Sequence, residues 1–372
     1  MSTAPQARTP VSIITGFLGS GKTTLLNHVL ADPRMAGAAV IINEFGEIGL
    51  DHLLVTTPAE NMVLLRNGCL CCTVRGDLVE TLAGLWKKRE SKSIPSFDRV
   101  LVETTGLADP VPVLRTLATD EDISPLFRPD TVLSVVDGVN GYAQLDAHEE
   151  SVKQATVADV MLVSKSDLAD AVALEQLQAR LARLNPGATL LQAVKGGIDC
   201  EILFGGAIWD PATKGPQVEQ WLREDAYAAA HDRAHEHTHG QDLNRHDAHI
   251  RAFSLRHDKP ISGTGLTAWL NMLAGLRGPN LLRVKGLVNV EGRPVVVQAV
   301  QSVLHEPVEL ECWPSNDHAS RIVFITRDMT RGEVERTLAL FDLNPGQRNG
   351  STFDIEAYQR FVQMAGAFQS KS

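Results

Sequence analysis

VSIITGFLGSGKTT, residues 11 to 24, decides the fold. An apolar, β-branched run leads without a break into Gly16-x-x-x-x-Gly21-Lys22-Thr23, the spacing of a phosphate-binding loop between a strand and a helix. The residue types follow from the chemistry. Glycines at Gly16, Gly19 and Gly21 let the N–H groups of the loop, through Ser20 to Thr24, close around phosphate oxygens. Lys22 reaches the β and γ phosphates, and the Thr23 hydroxyl can ligate Mg²⁺. The following TLLNHVLAD is helical in pattern and points a helix N-terminus, with its unpaired N–H groups and positive dipole end, at the same phosphates. A glycine-rich turn matching by chance would lack both neighbours, so nucleotide binding is the first expectation.

From residue 11 to about 205, short apolar strands alternate with helical segments. The expected strands are Val11–Thr15, Ala38–Asn43, Arg99–Glu103, Thr131–Val136, Val160–Ser164 and Ala188–Ala193. Runs of Val, Ile and Leu without polar alternation predict strands buried on both faces, hence a largely parallel, doubly wound α/β domain.

Bulk properties narrow the function. A chain of 372 residues with 44% hydrophobic content is long enough for two cores. A net charge of −10 argues against nucleic-acid binding through a basic surface. The N-terminal MSTAPQARTP has no apolar leader region and no run of 18 apolar residues occurs, so a cytoplasmic protein without a membrane partner is expected. Three of the five cysteines, Cys69, Cys71 and Cys72, sit within four residues. That is poor spacing for a disulfide framework and better suited to a metal or to catalysis.

Four stretches behind the phosphate loop carry further chemistry. NEFGEIGLD, residues 43 to 51, holds Glu44, Glu47 and Asp51 beside two glycines after the second strand. It reads either as a mobile loop sensing the γ phosphate and Mg²⁺ or as a solvated acidic loop. Asn67-Gly68-Cys69-Leu70-Cys71-Cys72 brings three thiols to one turn, where they can converge on a soft cation such as zinc and leave a fourth position for a carboxylate, His or water. The plain alternative is a set of buried small hydrophobes. RVLVETTGLADP ends a strand in Glu103-Thr104-Thr105-Gly106. There the acid can hold Mg²⁺ or its water shell and the Gly106 backbone can approach the γ phosphate, although a strand-end Glu can also merely cap the next helix. Ser164-Lys165-Ser166-Asp167 matches the base-reading spacing Asn-Lys-x-Asp with Ser in the first place. The Asp167 carboxylate can accept from the guanine N1 and N2 donors, so GTP is expected over ATP, with selectivity loosened by Ser164.

Residues 206 to 249 are rich in Gly, Pro and charge, and carry His231, His235, His237, His239, His246 and His249. They read as a linker whose imidazoles either bind metal in a labile way or are only polar spacers. From Ile250 the pattern turns to alternation. Ile250–Leu255, Leu282–Val290, Val295–Val303, Val308–Glu311 and Arg321–Thr326 are expected strands of an antiparallel sheet with one face covered, by helices near Gly265–Leu276 and Arg331–Leu340. His305 and Trp313 read as structural. The expected division is a flexible N-terminus at 1–10, a P-loop GTPase domain at 11–205, the His-rich linker at 206–249, a smaller α+β domain at 250–343 and a tail at 344–372.

GFLGSGKTT, NEFGEIGLD, NGCLCC, ETTGLADP and SKSD, in that order, together with RVKGLVNVEGRPVVVQAVQ and WPSNDHASRIVFITRD, resemble the CobW-type metallochaperone GTPases, relatives of the urease and hydrogenase nickel-insertion GTPases. The resemblance implies a GTPase that binds a divalent transition metal at the cysteine motif and passes it to a client protein as GTP is hydrolysed. It implies that Gly16 to Thr24 bind the triphosphate, that Thr23 ligates Mg²⁺, and that Glu47, Cys69, Cys71 and Cys72 hold Zn²⁺ or Co²⁺. Glu103 and Gly106 would couple the γ phosphate to that site, Asp167 would read guanine, and relatives that pair across the nucleotide imply a GTP-dependent homodimer. Members vary between zinc, cobalt and activation of nitrile hydratase. Two other functions compete: a small-molecule kinase using ATP, and a metal store in which the His tract dominates and nucleotide only stabilises the fold. The absence of an evident Arg finger or water-orienting Gln predicts slow hydrolysis.

Overall fold

The computed structural model describes residues 8–43, 63–67, 74–195, 197–204, 222, 227 and 249–342. In chain order the first part contains β1 (Thr9–Thr15), α1 (Lys22–Ala31), β2 (Ala38–Asn43), β3 (Val63–Asn67), α2 (Val74–Glu90), β4 (Arg99–Glu103), α3 (Val111–Thr119), β5 (Phe127–Asp137), α4 (Gly141–Ala147), α5 (Glu149–Val157), β6 (Val160–Ser164), α6 (Ala171–Leu184), β7 (Thr189–Gln192) and α7 (Cys200–Phe204). Its strands form one seven-stranded sheet in the order β3-β2-β4-β1-β5-β6-β7. Every ladder in it is parallel. Val11, Ile13, Ile41, Val100 and Val102 point into one core and Ile14, Val40, Leu101, Leu133 and Leu162 into another, so both faces are covered and unbroken aliphatic runs are what the strands require. β3 was not among the expected strands. Its run VLLRN is five residues long and contains an arginine, too short for periodicity to separate strand from helix.

The second part contains β8 (Ile250–His257), α8 (Gly263–Arg277), β9 (Leu281–Val290), β10 (Arg293–Val300), β11 (Val303–Leu304), β12 (Val308–Glu309), β13 (Ser320–Arg327) and α9 (Arg331–Thr337). It is an antiparallel sheet, ordered β11-β10-β9-β13-β8 with β12 on β10. The expected strand Val295–Val303 is split by a turn in which Gln301 takes φ 51°, so Val303 begins a separate short strand. The expected helix to Leu340 is α only as far as Thr337 and continues as a 3-10 segment, Leu338–Asp342.

The expectation of a sheet covered on one face is corrected. α8 and α9 cover one face through Trp269, Phe253, Phe324 and Val334. Ala252, Leu282, Leu287, Val296 and Val323 fill the other together with Leu222 and Tyr227, two buried residues of the stretch expected to be a linker. All ten residues of β9 are buried, because this strand also abuts the first domain.

That junction has an apolar and a polar part. Val300 and Val303 reach into the core beside Val111, Leu114, Leu117 and Phe127, each worth roughly 1.5–3 kcal/mol of burial. Asp159, at the head of β6, accepts from the Val132 N–H at 3.0 Å, pairs with Arg283, and lies 3.1 Å from the Lys285 ammonium. Arg283 also donates to the Val157 carbonyl, and Arg327 pairs with Glu149 at the other end of α5. Removing one member of a buried ion cluster costs about 3–5 kcal/mol, so these contacts fix where α5 lies against the second sheet. His305 is buried and its backbone N–H donates to the Gln298 carbonyl, while the Trp313 indole donates to the Gly292 carbonyl at 3.1 Å. Among the described residues no helix is long and apolar enough to cross a membrane.

Candidate nucleotide site

The parallel sheet sends the carboxyl ends of its strands to one edge, and the phosphate loop stands there between β1 and α1. Gly16 has φ 142° and a side chain on it would begin 2.2 Å from the Val135 carbonyl oxygen. Gly19 and Gly21 have φ 72° and 94°, the left-handed region that other residues enter only at a cost. The loop therefore needs these glycines for its shape. Ser20 is buried inside it, and its hydroxyl has no partner among the described residues.

The reactive side chains converge on this loop. The Lys22 ammonium donates to the Gly16 and Phe17 carbonyls at 2.9 and 3.2 Å, which holds the charge against the loop backbone. The Thr23 hydroxyl donates to Glu103 Oε1 at 3.1 Å. Neighbouring ligands on an octahedral Mg²⁺ at 2.0–2.1 Å lie about 3 Å apart, so this alcohol and carboxylate fit two adjacent positions in the shell of that ion. Glu103 owes its place to register, since β4 pairs Glu103 with Ile14 of β1 on one side and with Ile42 of β2 on the other. Gly106 lies against the loop itself. A side chain there would begin 2.6 Å from the Leu18 backbone nitrogen.

On the other flank, β6 delivers Ser164 and Lys165. The Ser164 hydroxyl donates to the Ser20 carbonyl at 2.6 Å, so in this structure it ties the phosphate loop to β6 instead of facing outward to a base. Lys165, in the left-handed region with φ 52°, donates to the Gly19 carbonyl at 2.8 Å and to Asp137 at 2.7 Å. Burial works against an ionised Asp137. The Lys165 ammonium and the N–H groups of Asn140 and Val139 outweigh it and hold the carboxyl below the usual range. Thr24 and Asp167 are exposed.

Asp137 was not among the expected site residues, although TVLSVVDG ends an apolar strand in an acid just as RVLVE does. Gln154 and Lys153 had no sequence signal. Gln154 Nε2 donates to the Gly106 and Ala108 carbonyls at 3.2 and 3.0 Å, and Lys153 pairs with Asp109 at 2.5 Å.

The expected transition-metal ligands Glu47, Cys69, Cys71 and Cys72 lie outside the described residues, as do His231, His235, His237, His239 and His246. Of that histidine set His249 is described, and its Nδ1 is 2.6 Å from Asp328. Among the described residues no cluster of three or more His, Cys, Asp or Glu could hold a metal. The strand ends that bear the two outlying motifs are described. Asn43 and Asn67 are register partners at the ends of β2 and β3, on the same carboxyl edge as Glu103. With strands about 4.8 Å apart, Asn67 stands roughly 10 Å across the sheet from the end of β4.

Residues 10–192 match the nucleotide-binding domain of the CobW/HypB/UreG family, and residues 250–341 match the cobalamin synthesis protein cobW C-terminal domain. The zinc chaperone YjiA of Escherichia coli is 30% identical over 88% of this chain and 97% of its own. The zinc chaperone CobW of Pseudomonas aeruginosa is 29% identical over 89% of this chain and 91% of its own. The crystal structure of Zn(II)-bound YjiA GTPase from E. coli superposes with a TM-score of 0.66 at 25% identity, covering 91% of this chain and all of that one.

Proposed function

The chain belongs to the CobW/HypB/UreG family and is a GTPase, and from there we propose that it hands a divalent transition metal, zinc first and cobalt second, to a client protein as GTP is hydrolysed. In this reading the N–H groups of residues 16 to 24 bind the β and γ phosphates. Lys22 leaves its two loop carbonyls for the γ phosphate, and Asp167 accepts from the guanine N1 and N2 donors. Thr23, with Glu103 directly or through water, would hold Mg²⁺, which would supply neutralisation of the charge that develops on the phosphates. Glu47, Cys69, Cys71 and Cys72 hold the cargo ion.

One observation carries the coupling. The chain enters the acidic loop at Asn43 and the cysteine motif at Asn67, on adjacent strands of the edge where Glu103 contacts Thr23. A thiolate-bound ion exchanges slowly unless its ligands move, and loss of the γ phosphate at a shared edge is a local event that can move them. The test is a Co²⁺ titration of the full chain read by thiolate-to-metal absorption, with and without a non-hydrolysable GTP analogue. We expect the analogue to change the affinity and Cys71→Ala to abolish the band. An affinity indifferent to nucleotide would exclude the transfer mechanism.

Pairing of two copies across the nucleotide belongs to the same proposal. Leu18 and Leu107, 54% and 49% exposed, give the rim of the site an apolar surface. The analogue should advance elution on size exclusion, and an unchanged profile would remove the dimer.

A further inference from the structure

The segment from Gly106 to Asp109 follows the acid that meets Thr23 and is held from behind by one helix. α5 presents Gln154, 2% exposed, whose single carboxamide nitrogen donates to the carbonyls of both Gly106 and Ala108. One residue earlier, Lys153 holds Asp109, and Asp109 accepts from the N–H of Val111, the first residue of α3, at 3.0 Å. The turn closes on itself through Ala108 N–H to the Thr105 carbonyl at 3.1 Å. Gly106 is thus confined between Leu18 of the phosphate loop in front and Gln154 behind.

The carboxamide is incompletely used. Gln154 Oε1 is buried with no partner among the described residues, although a buried amide ordinarily spends its acceptor as well as its donors. If the Gly106–Leu107 peptide turned, the Gly106 carbonyl would leave Nε2 and the Leu107 N–H would face the carboxamide in its place, where Oε1 is the unused acceptor. The same side chain can therefore hold two settings of the turn. α5 itself is anchored to the second domain, by Arg327 on Glu149 at its start and by Arg283 on the Val157 carbonyl at its end.

We propose that Gln154 is a positioning residue for GTP hydrolysis: it sets the Gly106 turn against the γ phosphate, and α5 links that setting to the C-terminal sheet. The inference rests on the reading of Gly106 as the γ-phosphate contact. It adds a residue and a route that assign the C-terminal domain a part in the timing of hydrolysis.

The experiment uses the full chain as wild type, Gln154→Met, Gln154→Asn, Arg327→Ala and the double variant Gln154→Met/Arg327→Ala. Each is measured for kcat, for KM and for binding of fluorescent GDP and of a fluorescent non-hydrolysable GTP analogue. Gln154→Met keeps the volume and loses both hydrogen bonds. We expect its kcat to fall about tenfold, the scale of two buried hydrogen bonds, with KM and GDP affinity within about twofold of wild type. The analogue should lose its advantage over GDP, and Gln154→Asn should recover part of the rate. Arg327→Ala should lower kcat less, by about threefold, and the double variant should be no slower than Gln154→Met alone, because the two act through one helix.

Wild-type turnover in Gln154→Met overturns the inference and leaves the proposed function standing. So does an equal loss of GDP and analogue binding, which marks a general fold defect, or a double variant whose losses multiply. A wild-type chain whose GDP and analogue affinities are equal overturns the γ-phosphate reading and the inference with it.

Discussion

Gly106 has no room for a side chain. A methyl there meets the nitrogen, Cα and Cδ2 of Leu18 at 2.6 to 2.7 Å, and two of those atoms are backbone of the phosphate loop, which cannot swing aside as a side-chain tip can. Gly106→Ala is therefore expected to displace the loop, destabilising the fold by about 1–3 kcal/mol and lowering GTP turnover well beyond that of a surface alanine substitution. Thermal unfolding and steady-state hydrolysis on one preparation check both, and a variant with wild-type turnover would show that the turn moves away from Leu18 during the cycle. The chemistry of single residues was largely legible in the sequence, since each type has a use that its spacing reveals. Gly16, Lys22, Thr23 and Glu103 converge from the end of β1, the start of α1 and the end of β4. Ser164 was legible as a departure from the base-reading pattern, but its contact with the Ser20 carbonyl was not, because which way one hydroxyl turns depends on a loop 144 residues away in the chain.

At the scale of elements, the ends of β5 and β6 and the phosphate loop form one clamp. Asp137 accepts from Val139, from Asn140 and from Lys165, and Lys165 reaches on to Gly19. GTP and GDP both use this loop, so a break in the clamp should affect them alike. In Asp137→Asn the backbone N–H bonds keep an acceptor while the Lys165 ammonium faces a neutral amide. We expect both nucleotides to weaken by about three- to tenfold, the worth of a charge-assisted hydrogen bond partly open to water. Parallel titrations with fluorescent GDP and a GTP analogue check it. Selective loss of one nucleotide would show that Asp137 has a different role. The elements legible in the sequence were those whose burial writes an unbroken aliphatic run, and β2, β4 and β6 have the expected bounds. β3 was not legible because its run is brief, and the second face of the C-terminal sheet was not because alternation records the difference between two faces. On β9 that contrast is absent, every residue being covered.

Across the whole molecule, what sequence could not reveal is the junction, since Asp159 precedes β6, Arg283 and Lys285 lie on β9 and His305 follows β11, and no spacing along the chain brings the three places together. That junction sets how stability responds to pH. Burial pushes His305 down to about 3, the Arg283 charge helps, and Asp159 pulls weakly the other way. An unfolded histidine titrates near 6.5. As pH falls from about 6.5 toward 3 the unfolded chain takes up a proton that the folded chain refuses, so stability falls across that window, by up to about 1.4 kcal/mol per pH unit. Lys285 acts at the alkaline end. Burial lowers it to about 8, against the attraction of Asp159, and stability rises from about pH 8 to the ordinary lysine range near 10.4 as the unfolded chain keeps a proton the folded one has released. Asp159 is held below its usual range because Arg283 and Lys285 outweigh burial, and its stabilising effect is lost only under more acid conditions than those that charge an unfolded histidine. The interval from pH 7 to 5 therefore isolates His305 within the cluster. Denaturant unfolding of the full chain at pH 7 and pH 5 should show wild type losing about 1–2 kcal/mol more than His305→Gln over that interval. Equal losses in the two proteins would mean that the imidazole is charged in the folded state, and the junction would then have to open to water while the two domains remain joined.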